Sequence, residues 1–232
     1  AVSSQAGVFA EVFVHGGTRR EADLGALIDS TRTAASGLDY LATYEYKNPD
    51  RAPLQTSSGF GTLIYLPLTS RYAASLEASY SQGWTRDEIV SQDMRLNFAR
   101  KDLIWGLWFS RRGRVLPRLE AWIEGGFLLC DAVLDASIGG AGLAGLSGQS
   151  GAYSARLPGA GLRLKALCRV VGSLGLDFDV GFEAYSMKKY KRKDDGALFQ
   201  AWDETLTSGG GISADPTGVE FRFGLMAPWG LK

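Results

Sequence analysis

Tyr72-Ala73-Ala74-Ser75-Leu76-Glu77-Ala78-Ser79-Tyr80-Ser81 decides the fold class of this chain. Successive side chains of an extended strand point to opposite faces. Tyr72, Ala74, Leu76, Ala78 and Tyr80 therefore share one face, and Ala73, Ser75, Glu77, Ser79 and Ser81 share the other. The first face is apolar with aromatic ends; the second is mostly polar. The same dyad recurs along the chain. Leu103, Trp105, Leu107 and Phe109 form one such apolar face, and Leu162, Leu164, Ala166 and Cys168 oppose Arg163, Lys165 and Arg169. Leu174, Leu176, Phe178, Val180 and Phe182 oppose Asp177, Asp179 and Glu183, while Val219, Phe221, Phe223 and Leu225 oppose Glu220 and Arg222. No helical period competes over these windows.

Ten segments carry the pattern: residues 8–15, 38–47, 58–68, 72–82, 89–99, 103–110, 116–129, 155–170, 174–187 and 218–226. Most are near the ~9–11 residues that a tilted strand needs to cross a bilayer. The pattern predicts an all-β, antiparallel, up-and-down transmembrane β-barrel of about ten strands, with eight as the other admissible count. Three connections are long, near 16–37, 131–154 and 188–217. Others are short, such as Thr69-Ser70-Arg71, Arg100-Lys101-Asp102, 111–115 and Val171-Gly172-Ser173. In a ten-strand meander the long ones all follow odd-numbered strands, so they emerge together. Long loops on one rim and short turns on the other are the habit of membrane barrels. The first long connection has room for a short helix at 21–30, and the Gly- and Ala-rich segment 134–146 reads as a flexible loop.

The 232 residues suit one domain spanning 1–232, with no linker to divide them. A formal net charge of zero gives no electrostatic drive toward nucleic acid. No stretch approaches the roughly 18 apolar residues of a membrane helix. The start, Ala-Val-Ser-Ser-Gln, reads as a mature N-terminus left after export. In a soluble calycin-like barrel the apolar faces would line a cavity and the charges would meet water. In an outer-membrane barrel the aliphatics meet lipid and charge fills the lumen. Tyr72, Tyr80, Trp84, Trp105 and Tyr185 near strand ends favour lipid, because phenol and indole suit a bilayer interface. Mixed-sign charge opposite the aliphatic rows favours it too, since acids and bases pair across a narrow lumen. The predicted last strand, 218–226, is followed by Ala-Pro-Trp-Gly-Leu-Lys and has no aromatic end.

On these dyad strands and uneven loops, the whole chain resembles the small bacterial outer-membrane barrels of the OmpA, OmpX, OmpW and OmpT kind. The resemblance is architectural and rests on no diagnostic motif. It implies residence in the bacterial outer membrane and contact with outer-membrane lipid or lipopolysaccharide. The class holds anchors, adhesins, narrow channels, lipid-modifying enzymes and proteases. Its proteases and lipid A deacylases use a late-strand histidine, whereas the single histidine here is His15. Neither activity carries over.

No phosphate-binding Gly loop, zinc-spaced Cys/His set or nucleophile elbow is present. No catalytic residue, metal ligand or cofactor is therefore assigned. His15, on the Glu11 face, reads as a rim residue, and Asp194, Asp195, Asp203 and Asp215 match no calcium-loop spacing. Glu120, Glu124, Arg163, Lys165, Asp177, Asp179 and Glu183 read as a lumen charge network on three successive strands. Lys188, Lys189, Lys191, Arg192 and Lys193 open the last long loop, which continues through Phe199 and Trp202. The basic run suits lipid phosphates or an acidic partner. Phe199 and Trp202 suit a partner contact, or a plug packed into the barrel mouth. Cys130 and Cys168 fall at opposite ends of adjacent strands, about thirteen residues at ~3.3 Å apart. A disulfide spans at most ~7 Å between Cα atoms, so both are expected unbridged. The expected function is a non-enzymatic barrel whose long loops form a protein-interaction or assembly platform. The alternatives are a narrow ion or small-solute channel, and a soluble calycin-like ligand-binding barrel.

Overall fold

Alternation carries straight through Arg100-Lys101-Asp102 in the computed structural model, which describes residues 7–19, 23, 25–27, 30, 56–83, 86–91, 94–171, 174–202 and 208–229. Arg100 and Asp102 point inward and pair (Nη2 to Oδ2, 2.6 Å), while Lys101 points outward and pairs with Asp135 (3.1 Å). With each charge partnered the triplet stays extended instead of turning. Residues 94–99 of the predicted segment 89–99 and all of 103–110 thereby share one long strand, Met94–Leu116, which also absorbs the expected turn at 111–115, while 89–91 fall in a separate strand, Arg86–Ser91. The chain reverses at 117–118, where Pro117 has no amide N–H to give a ladder.

In chain order the elements are β1 (Val8–Thr18), β2 (Thr56–Pro67), β3 (Tyr72–Gly83), β4 (Arg86–Ser91), β5 (Met94–Leu116), β6 (Leu119–Gly139) and β7 (Gly151–Val171). There follow β8 (Leu174–Tyr185), the short β9 (Lys188–Lys189), β10 (Lys191–Arg192), β11 (Gln200–Trp202), β12 (Ser208–Gly211) and β13 (Ser213–Ala214), then β14 (Gly218–Trp229). Eight strands close a ring in the order β1-β2-β3-β5-β6-β7-β8-β14, with β14 returning to β1 and every pair antiparallel. The count is eight, not ten. The predicted strand 38–47 lies outside the described residues, and the ring closes without it.

Short turns at 68–71 and 117–118 gather at one end, together with Val171, Leu174, Val8 and Trp229. The long connections gather at the other. Two of them differ from expectation. The supposed loop 134–146 is largely structured, because Leu134, Ala136 and Ile138 turn inward on β6 while Asp135 and Ser137 turn outward. Gly140, at φ 99°, then swings the chain into a 3₁₀ segment, Ala141–Gln149, that buries Leu143 and Leu146. Described residues between 23 and 30 are helical, where a short helix was expected. At the other end β14 continues past 226, with Pro228 opposite Phe9, and terminates on Trp229. The last strand therefore does end on an aromatic residue.

The apolar faces look outward. Leu164 is 59% exposed, whereas its neighbour Lys165 is 2% exposed. Val12, Leu76, Ile123, Phe127, Phe178 and Phe223 continue this belt around the wall. Such a surface is stable only against hydrocarbon, since so wide an exposed apolar area in water drives association. The soluble alternative, which needs the same faces to line an inner cavity, is overturned. Purification is expected to require detergent, and the folded ring to migrate faster than the boiled chain on a cold denaturing gel. Recovery of monomer from buffer alone would sink the membrane reading. Both cysteines are free, Cys130 inside the wall and Cys168 outside it.

β5, β6 and β7 are 23, 21 and 21 residues long, about twice what crossing a bilayer takes. In their upper halves the polarity inverts. Arg95, Lys101, Asp131, Asp135, Ser154 and Arg156 now face outward, and Leu96, Phe98, Leu134, Ile138, Tyr153 and Leu157 face inward. A strand with an apolar inside and a polar outside is built for water. The upper halves thus rise above the membrane as a sheet, extended by β4 and β10.

Candidate functional site

Two candidate sites follow from this wall: the charged lumen and the covered mouth. Inward parity on β3, β7, β8 and β14 brings Glu77, Arg163, Glu183 and Arg222 to one level. Arg163 Nη2 bridges Glu77 Oε2 (2.8 Å) and Glu183 Oε1 (2.9 Å). Arg222 Nη2 reaches Glu77 Oε1 (2.7 Å) and Glu183 Oε1 (3.4 Å), and its Nε donates to Glu220 Oε1 at 2.5 Å. Arg19, from just beyond β1, adds Nη2 to Glu220 Oε2 (2.8 Å) and Nη1 to Glu183 Oε2 (3.4 Å). Trp108 lies across the centre, its indole N–H donating to Glu77 Oε2 (2.7 Å) and its ring 3.4 Å below the Arg163 guanidinium. Strand glycines make room for it: a Cβ at Gly161 would stand 2.5 Å from the Trp108 ring, and one at Gly126 2.6 Å.

Toward the short-turn end, Lys165 Nζ lies 2.5 Å from Glu11 Oε2, 2.7 Å from the Tyr65 hydroxyl and 3.6 Å from both Asp177 and Asp179. Glu11, Asp177 and Asp179 have carboxylate oxygens within 4.8 Å of one another, and the Lys165 ammonium is the cation they face. Glu124 accepts from Ser110 (3.0 Å) and Tyr65 (3.3 Å). Glu120 is lower still, paired with Arg169 at the rim (2.7 Å). The cross-section is filled by side chains that carry almost no solvent exposure: Trp108, Glu183 and Asp179 are each at 0%.

The mouth is covered by residues 186–202 and 208–217. Tyr190, Phe199, Trp202, Ile212 and Ala214 from these segments are buried against the inner face of the raised sheet. Phe199 is the hub, with ring centroids 4.8 Å from Tyr153, 6.1 Å from Phe98 and 6.3 Å from Trp202. Arg192 ties the cover to the wall, donating to Tyr153 Oη (2.9 Å) and to the Gly148 carbonyl, and pairing with Asp195 (3.4 Å). Asp23 accepts the Ser213 amide (3.0 Å), so the first long connection touches the cover as well.

No known protein family and no curated protein matches the sequence. Solved structures do. The outer membrane protein OprG from Pseudomonas aeruginosa aligns over 97% of each chain with a TM-score of 0.53 at 12% identity. Neisserial surface protein A aligns over 96% of this chain and 97% of its own, with a TM-score of 0.49 at 9% identity. The fold is that of a small Gram-negative outer-membrane barrel. At these identities the likeness is one of architecture.

Within the barrel, Glu124, Arg163, Lys165, Asp177, Asp179 and Glu183 all face the lumen. The sequence-stated set missed Glu11, Glu77, Glu220, Arg222 and Arg19, which complete the network from other strands. Inward parity was the available signal for Glu77, Glu220 and Arg222. His15 is not a rim residue: its ring is buried between Glu220 (Nδ1 to Oε1, 3.2 Å) and the Tyr80 carbonyl (Nε2 to O, 3.2 Å). Phe199 and Trp202 are internal to the cover and are not offered as exposed contacts. Lys188, Lys189, Lys191 and Lys193 are exposed around them. Asp195 and Asp215 cap nearby backbone amides, at Ala197 (2.9 Å) and Thr217 (3.2 Å), and Asp203 lies outside the described residues.

Proposed function

We propose that this protein is a non-enzymatic barrel of the bacterial outer membrane whose raised, covered mouth serves as a protein-interaction or assembly platform. The observation that carries this reading is the polarity inversion along β5, β6 and β7. Those strands continue well past the lipid belt and enclose an apolar core of their own. An anchor alone needs no such folded projection, because a bilayer-length strand suffices.

The filled lumen speaks against conduction. Long Arg, Glu and Trp side chains occupy a narrow eight-stranded interior, where little space remains. Planar-bilayer recordings are expected to show no steady openings from the intact chain. Steady openings that change on Asp179→Lys would favour the channel instead. The platform itself is tested by photo-reactive residues placed at Gly145 and Gly210, where a side chain meets open space, and at Phe127 in the belt as a control. Discrete protein adducts in cells are expected from the first two positions and not from the third. Absence of adducts at both mouth positions would count against the platform.

A further inference from the structure

We infer that the lumen near the short-turn end holds one divalent cation, calcium by the chemistry of its ligands, between Glu11 of β1 and Asp177 and Asp179 of β8. The inference is independent of the platform reading. It starts from a charge count that differs between two levels of the same lumen. At the upper level Glu77, Glu183 and Glu220 meet Arg19, Arg163 and Arg222, three against three. At the lower level Glu11, Asp177 and Asp179 share Lys165, and Glu124 joins them through the Tyr65 hydroxyl. Among the described residues no other cation lies within 4.0 Å of these four acids. Four carboxylates against one ammonium leave an excess of three negative charges, on acids that are each at most 1% exposed. Charge buried so deeply persists where it is paired or coordinates a metal.

A second observation concerns which oxygens have no partner. Lys165 Nζ donates to Glu11 Oε2 at 2.5 Å but stands 3.6 Å from Asp177 Oδ1 and Asp179 Oδ2, beyond hydrogen-bond reach. Each carboxylate turns one oxygen toward Lys165 and leaves the other. Glu11 Oε1, Asp177 Oδ2 and Asp179 Oδ1 are sealed from solvent and receive no donor among the described residues. Carboxylate oxygens of the three residues lie within 4.8 Å of one another. Ligands on opposite sides of a calcium ion bound at about 2.4 Å are up to ~5 Å apart, so this spacing suits an ion seated among them. The backbone makes the room. Gly224 of β14 stands directly opposite Asp177, and a Cβ there would lie 2.6 Å from Asp177 Oδ1 and 2.8 Å from its Oδ2.

The donor set chooses the ion. It offers carboxylate oxygens and neither imidazole nor thiolate, which favours a hard cation over zinc or copper. Magnesium gives up its waters reluctantly, whereas calcium accepts an irregular cage of protein oxygens, so calcium is the better match for a site this dry. No spacing in the sequence announces these ligands. Glu11 and the Asp177/Asp179 pair come from opposite ends of the chain and meet only because β14 pairs with both β1 and β8. An ion held there clamps β1 to β8 across β14, at the seam where the ring closes.

The test refolds the full chain into detergent micelles with calcium, passes it over a chelating resin and counts the retained metal by elemental analysis. About one calcium per chain is expected to remain, and refolding without divalent ions should lower the urea midpoint, since an ion that binds only the folded ring stabilises it. Asp177→Asn/Asp179→Asn should retain less than about a tenth as much calcium, and its midpoint should no longer respond to the ion. Faster migration of the unboiled band shows that the variant is folded; if it is not, Glu11→Gln supplies the same two readouts. Lys165→Met is the sharper case. Without the ammonium the acids depend on the ion alone, so calcium should raise its midpoint by more than it raises that of the intact chain. An intact chain that retains no calcium would overturn the inference and leave the excess charge to be met by protons. So would equal retention by the intact and substituted chains, which would place the ion elsewhere. Adducts at Gly145 and Gly210 are read separately, so the platform can stand or fall independently of the calcium result.

Discussion

Arg222→Met is expected to destabilise the barrel by about 3–5 kcal/mol, the cost of removing one partner from a buried ion network and leaving its acids with too few cations. Arg222 faces Glu77, Glu183 and Glu220 at once, and all four groups are sealed from solvent. Arg163 and Arg19 remain, but neither reaches all three acids. Urea midpoints read by gel migration or Trp fluorescence measure the effect. Arg169→Met supplies the contrast, because its bridge to Glu120 sits at a rim where Arg169 is 37% exposed. There the loss should stay within about 1 kcal/mol, as water and salt screen the pair. If the two variants unfold alike, the lumen is wetter than its packing indicates and the network does not hold the ring.

The second large effect concerns the mouth. Phe199→Ala removes the ring that joins Phe98, Tyr153 and Trp202. Deleting a buried aromatic side chain costs about 3–5 kcal/mol. The cover shares no ring-closing ladder with the belt, so the cost should appear as local opening with the barrel intact. Trypsin cutting after the 188–193 lysines should accelerate on the order of a hundredfold, since cleavage follows the open population. Migration of the unboiled band should not change. An unaltered cutting rate would show that Phe199 does not hold the cover down.

Much of this was legible in the sequence, and its limits have physical causes. The dyad of residues 72–81 specifies a two-faced strand, and the mixed-sign charge behind it specifies which face meets lipid. The turn expected at 100–102 failed because three consecutive charges look like a break when their partners are unseen. Asp102 lies two residues away from Arg100, but Asp135 comes from another strand and only the ladder register brings it to Lys101. The lumen set was incomplete for the same reason. Lys165 stands directly opposite Asp179 on the neighbouring strand, which spacing suggests. Glu77 reaches Arg163 and Arg222 only across a closed ring, and closure depends on the strand count. The segment 134–146 was misread because small residues in a strand resemble a loop until Leu134 and Ile138 have something to pack against.

The inverted strands also carry a waterline. On β6 the outward side chains change from Ile123 and Phe127 to Asp131 and Asp135 within a few positions. Moving the barrel up by one residue pair, about 6.6 Å along the strand, would strip phenylalanine of lipid; moving it down would drown aspartate in hydrocarbon. Depth in the bilayer is therefore written into the chain. Among the described residues, β5, β6 and β7 are the ring strands of this length, so the described sheet stands highest on their side, like a raised collar. That raised sheet gives the described ring one side unlike the others.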